Sequence, residues 1–138
     1  MSQPSSRRAT VLVYSSSAAT RDRVLTALGA RPAPGLELDY VQASTGREVV
    51  DICDRGDIDL AILDGEAAPT GGIGLARQLK AELDEPPPVL LIVGRRDDAW
   101  LATWSRAEAV TAHPIDAVRI TEAVVDLLAP ARAVATGH

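Results

Sequence analysis

A chain of 138 residues, 46% of them hydrophobic, is about one domain long and can bury roughly two-thirds of the surface its unfolded form exposes. Fourteen basic residues against nineteen acidic ones give a net charge of −5, opposite in sign to the footprint that phosphate backbones and anionic lipid surfaces select, so no direct nucleic-acid partner is expected. The single Cys53 can form no internal disulfide, no run approaches the ~18 consecutive apolar residues of a membrane span, and Met1 to Arg8 lacks the apolar stretch of a secretory signal; the expectation is a cytoplasmic protein without membrane insertion.

Along the chain, Thr10 to Tyr14 is a short β-branched run that stops at Ser15-Ser16-Ser17, as a buried parallel strand followed by a polar loop does. A helix is predicted over Ala19–Leu28, with Val24, Leu25 and Leu28 on one face, Arg21, Asp22 and Arg23 on the other, and Gly29 as its stop. Leu36 to Ala43 alternates as a more exposed strand, and Thr45-Gly46-Arg47-Glu48 has the spacing of a capping box that opens a helix burying Val49, Ile52 and Cys53. Ile58 to Leu63 is the third strand and ends at Asp64. A small-residue loop from Gly65 to Gly72 leads into a helix with Leu75, Leu79 and Leu83 at fourfold spacing, stopped by Pro86-Pro87-Pro88. Val89 to Val93 is the most strongly buried strand signal. Asp97 or Asp98 is placed to cap a fourth helix carrying Trp100, Leu101 and Trp104; Ala109 to Ala112 is a short fifth strand; Asp116 opens a last helix with Ile120, Val124 and Leu127 on one face. Residues 1–9 and 130–138 read as disordered tails around a domain spanning 10–129.

Strands that alternate with helices five times specify an α/β fold with a parallel sheet, because parallel neighbours need crossover connections. Sites in such sheets form beyond the carboxyl ends of the strands, which here carry Ser15, Ser16, Asp64, Val93 and His113. Gly71-Gly72-Ile73-Gly74 lacks the lysine and hydroxyl of a phosphate-binding loop and reads as a turn entering a helix. Cys53 reads as a small core residue. A hydrolytic triad of Ser15, His113 and Asp64 can be composed on paper, but no nucleophile-elbow pattern surrounds the serine.

The element order, Asp64 at the end of the third strand, Gly72 opening the third helix, and His113-Pro114 after the fifth strand together resemble the receiver domain of two-component response regulators. The resemblance implies a five-stranded sheet in the order 2-1-3-4-5, a cis His113–Pro114 peptide, and Asp64 as the phospho-acceptor position. In that family an acidic pair and the acceptor carboxylate hold magnesium, a hydroxyl residue ends the fourth strand, and a lysine precedes the proline. Here those positions carry Ser15 and Ser16, Val93, and His113, so the pocket is degenerate and no metal or cofactor is expected. Pro69 also falls one residue later than the family's loop proline.

Phosphoryl transfer depends on positioned cations around charged oxygens, and the substitutions remove those cations or their ligands. The expected function is therefore that of a non-catalytic pseudo-receiver that binds a protein partner, with a conventional regulator phosphorylated on Asp64 as the alternative. No output domain is expected, and the docking face is read as the fourth helix, fifth strand and fifth helix, centred on Trp100, Trp104 and Arg119. The chain is also similar to orphan receivers of high-GC bacteria associated with the proton-pumping NADH dehydrogenase, respiratory complex I, which implies a large respiratory partner on its cytoplasmic side.

Overall fold

The structure is a computed structural model that describes residues 7–67 and 71–129. Of the expected tails at 1–9 and 130–138, residues 1–6 and 130–138 lie outside the described residues, as does the path of the loop around Pro69; Arg7 to Ala9 are no tail but open the first strand.

Five strands form one parallel sheet: β1 (Arg7–Tyr14), β2 (Leu36–Ala43), β3 (Leu60–Asp64), β4 (Val89–Val93) and β5 (Ala109–Ala112). They lie in the order β2-β1-β3-β4-β5 that the resemblance implied. The register pairs Val11 with both Tyr40 and Leu60, Asp64 with Ile92, and Val93 with Ala112, so the carboxyl ends converge on one edge of the sheet. β1 begins at Arg7, three residues before the apolar run, because Arg7 to Ala9 ladder onto Leu36 to Leu38 whatever their side chains. β3 begins at Leu60, two residues later than the apolar pattern starts.

Four helices connect the strands, α1 (Ala18–Leu28), α2 (Gly46–Asp54), α3 (Gly72–Glu82) and α4 (Leu101–Ser105), and α5 (Ala117–Leu128) follows the last strand. Side chains alternate across a strand, so each strand feeds two cores. On one face Val11, Val13, Ile62, Leu90 and Ile92 pack against Val24 and Leu28 of α1 and Ile120, Val124 and Leu128 of α5. On the other Leu12, Tyr14, Ala61, Leu63, Leu91 and Val93 meet Val49 and Cys53 of α2 and Leu75, Ala76 and Leu79 of α3.

Local chemistry sets the helix ends. Ser17 caps α1, and its side chain accepts the Thr20 N–H. Thr45 and Glu48 form the expected capping box on α2, and Asp116 accepts the N–H groups of Val118 and Arg119 at the start of α5. Gly72 must be glycine, since a Cβ there would lie 2.7 Å from the Asp64 carbonyl oxygen; this close approach brings α3 against the end of β3.

Four expectations are corrected. The fourth helix is five residues long, and Trp100 precedes it; Asp97 and Asp98 lie in a 3-10 turn (Arg96–Asp98) instead of capping it. On α5 the third buried residue is Leu128, a full turn beyond Val124, with Leu127 only partly buried. Leu83 follows α3 as its C-terminal cap, and Ile52 is only partly buried beside α2's buried pair.

Candidate functional site

Ser15 follows β1 directly, Asp64 is the last residue of β3, and His113 is the first residue after β5. The sheet brings these three together across 49 residues on each side of Asp64. Ser15 Oγ donates to Asp64 Oδ2 at 2.8 Å, and His113 Nε2 lies 3.3 Å from Asp64 Oδ1. The Glu66 N–H donates to the same Oδ1 at 2.9 Å. Ser15 is 1% exposed and Asp64 4%. The His113–Pro114 peptide is cis.

Ser15 is itself held from two sides. Its Oγ accepts the Ser17 N–H at 3.0 Å, and its carbonyl accepts from Arg21 Nη1 at 2.6 Å while Arg21 Nε donates to Gln42. Ser16, the second of the two serines at the family's acidic pair, is exposed on this loop. Val93 is buried in the α2–α3 core and brings no hydroxyl to the pocket. The phenol of Tyr14, buried beside the site, is pushed above its ordinary ionisation range by burial and then by the Asp64 charge.

This arrangement decides between chemistries. In a hydrolytic triad the histidine stands between the serine and the acid. Here Asp64 stands in the middle and takes both partners, so His113 is bonded to the acid instead of to Ser15, and the paper triad is ruled out by connectivity. Magnesium needs carboxylate oxygens in near-octahedral array. The Asp64 carboxylate has one oxygen engaged by a hydroxyl donor and the other by an amide N–H and an imidazole, and serines stand where the family's further carboxylates would be; the residues present do not fit the ion. Among the described residues no cluster of three His, Cys, Asp or Glu side chains could hold a metal. No buried side-chain polar atom among them lacks a hydrogen bond, so the site is electrostatically settled as it stands.

His113 has a second surface. With Pro114, Ile115, Val110, Arg119 and Glu122 it lines an open groove of about 800 Å³ between β5, which is an edge strand, and α5. The expected docking residues do not share this groove. Arg119 lines it, paired loosely with Asp116 at 3.6 Å, whereas neither tryptophan does. Trp104 turns toward α3, where the Arg77 guanidinium lies 4.7 Å from its ring centroid and Nη1 donates to its carbonyl at 2.8 Å. Trp100 is 65% exposed and Trp104 48%.

Two residues that matter here were read from the sequence only as solvent-face or unremarked positions. Arg21 sits on the polar face of α1, and its aim at Ser15 carries no local signal. Arg77 is one charged residue on an amphipathic helix, and nothing in its neighbourhood announces a tryptophan 27 positions on.

No protein-family model matches the chain. It is 56% identical over 123 residues to a response regulatory protein of Mycobacterium tuberculosis, described as uncharacterized in strains CDC 1551 and H37Rv; the match covers 88% of this chain and 92% of that protein. In fold it is similar to the signal receiver domain of a LuxO-type repressor from Vibrio parahaemolyticus, with a TM-score of 0.74 at 22% identity over 88% of this chain and 91% of that one. It is likewise similar to the chemotaxis protein CheY4 of Vibrio cholerae, with a TM-score of 0.68 at 17% identity over 88% and 100% of the two chains. A further similar structure is a co-crystal of the yeast histidine phosphotransfer signaling protein Ypd1 with the receiver domain of its downstream response regulator Ssk1, with a TM-score of 0.74 at 16% identity over 87% and 88% of the two chains.

Proposed function

Since the chain belongs to the response-regulator family and folds as its receiver domain, we propose that it acts as a receiver held in a single state, a non-catalytic adaptor that signals by binding a protein. The observation that carries this reading is that both oxygens of Asp64 are engaged by Ser15, the Glu66 N–H and His113. An aspartate so held, with serines in place of further carboxylates, offers a poor site for the metal that would neutralise an incoming phosphoryl group, and both its oxygens already take internal partners. A phosphotransfer protein bound to a receiver domain in the co-crystal supports the general mode, in which the partner is another protein.

The partner to test first is the one implied by the resemblance to orphan receivers of high-GC bacteria, the respiratory NADH dehydrogenase. No helix among the described residues is long and apolar enough to cross a membrane, so attachment to such a complex would run through a protein contact on the cytoplasmic side.

Intact-mass measurement after incubation with acetyl phosphate and Mg²⁺ tests the reading. The expected result is an unmodified chain. A phosphorylated species that disappears in Asp64→Asn would overturn the single-state reading and install the alternative, a conventional regulator in a phosphorelay.

A further inference from the structure

We propose that the α3–α4 face, formed by Trp100, Trp104, Arg77 and Arg106, docks an acidic segment of a partner protein; this rests on the adaptor reading and gives the partner a chemistry. Three observations converge on it. The first is apolar exposure: Trp100 and Trp104 are two of the three large hydrophobic side chains exposed among the described residues, one just before and one within a single short helix. Large exposed aromatics are the side chains most enriched at the energetic centres of interfaces.

The second is uncompensated positive charge. In a chain of net charge −5, Arg77 and Arg106 are both exposed, and neither takes part in an ion pair among the described residues. Arg77 is also pre-organised. Its guanidinium stacks on the Trp104 ring and spends Nη1 on the Trp104 carbonyl, which leaves other N–H groups of the planar fork for a carboxylate. Asp97 and Asp98 lie at the opposite end of the segment, before Trp100, so the positive end of the face is the Arg77–Arg106 end.

The third is a backbone irregularity. Arg106 directly follows α4 with φ +66°, and it is the only non-glycine residue with positive φ among those described. Glycine takes that conformation without strain, whereas a residue with a Cβ does not. A strained arginine two residues beyond Trp104 is accounted for when its side chain is used. Nucleic acid would also favour arginine beside tryptophan, but the chain's net negative charge opposes it, and the match here is to carboxylates.

The test uses the full-length chain with the photocrosslinker benzoylphenylalanine in place of Trp100 or, separately, of Arg119 in the β5–α5 groove. Each is irradiated in a lysate of the organism that encodes the protein, and the crosslinked segment is sequenced, synthesised and titrated against the unmodified chain by its intrinsic tryptophan fluorescence. The expected result is capture at position 100 of a segment rich in Glu and Asp, whose affinity falls with added salt and drops about tenfold in Arg77→Gln. Arg106→Gly should weaken binding similarly while its thermal midpoint stays equal to or above that of the parent, a combination that a purely structural arginine would not produce. A neutral or basic captured segment, captured nucleic acid, an Arg106→Gly variant that binds normally, or capture at position 119 alone overturns the proposal and leaves the adaptor reading standing. Capture at neither position overturns both.

Discussion

Replacing Ser15 by Ala removes the hydroxyl that donates to Asp64 Oδ2 at 2.8 Å and accepts the Ser17 N–H at 3.0 Å. Both Ser15 and Asp64 are buried, so water cannot readily take the place of the lost donor. A hydrogen bond to a charged group is worth about 1.5–3 kcal/mol and the amide's lost acceptor about 1 kcal/mol, which together make a destabilisation of about 3 kcal/mol. For 138 residues the unfolding entropy near the midpoint is about 0.3 kcal/mol/K, so the midpoint should fall by about 10 °C in differential scanning calorimetry. The contact with Asp64 is isolated by a double-mutant cycle with Asp64→Asn, where Ser15→Ala should cost about 1 kcal/mol less than it does in the parent. A Ser15→Ala chain that melts within 2 °C of the parent, or a cycle with no coupling, would refute the view that this hydroxyl holds the pocket closed.

At Gly72 a Cβ would sit 2.7 Å from the Asp64 carbonyl oxygen and 3.0 Å from the Leu63 carbonyl carbon, backbone atoms that cannot step aside, so Gly72→Ala should lower stability by about 1–3 kcal/mol in urea denaturation. Two positions on, Gly74 meets nothing within 4 Å inside the same helix, and Gly74→Ala should raise stability by about 0.5–1 kcal/mol; equal effects at the two positions would contradict the packing argument. Burial pushes the Cys53 thiol from its ordinary 9.0 up to about 11 and the Tyr40 phenol from 10.0 up to about 12. Both groups are neutral in either state below pH 9, so their contribution is fully present there; as pH rises the unfolded chain loses its protons first, and stability should drain away between about pH 9 and 12. Urea midpoints measured from pH 8 to 12 should decline over that window, more shallowly up to pH 11 in Cys53→Ala, and a flat profile would count against the burial of both groups.

Much of the fold was legible because its determinants are local. The aliphatic run Val89–Val93, the alternation of Leu36–Ala43 and the short Ala109–Ala112 matched the strands residue for residue, since period-two patterning and bounding turn residues leave little freedom. The capping box of α2, the Asp116 cap of α5 and the Gly29 stop of α1 were equally local, each set by residues beside the helix end. Reading also succeeded in placing Ser15, Asp64 and His113 at strand ends, because a parallel sheet gathers its carboxyl ends along one edge. What those residues do to one another was decided elsewhere. The strand register places the Asp64 carboxylate between Ser15 and His113, and it excludes a triad that has the same composition. Packing, not periodicity, chose Leu128 over Leu127 and cut the fourth helix to five residues, leaving Trp100 outside it. Arg21 on the Ser15 carbonyl and Arg77 on Trp104 belong to the same class. A long cationic side chain on a polar helix face can reach many acceptors, and only the tertiary arrangement of neighbouring elements selects one.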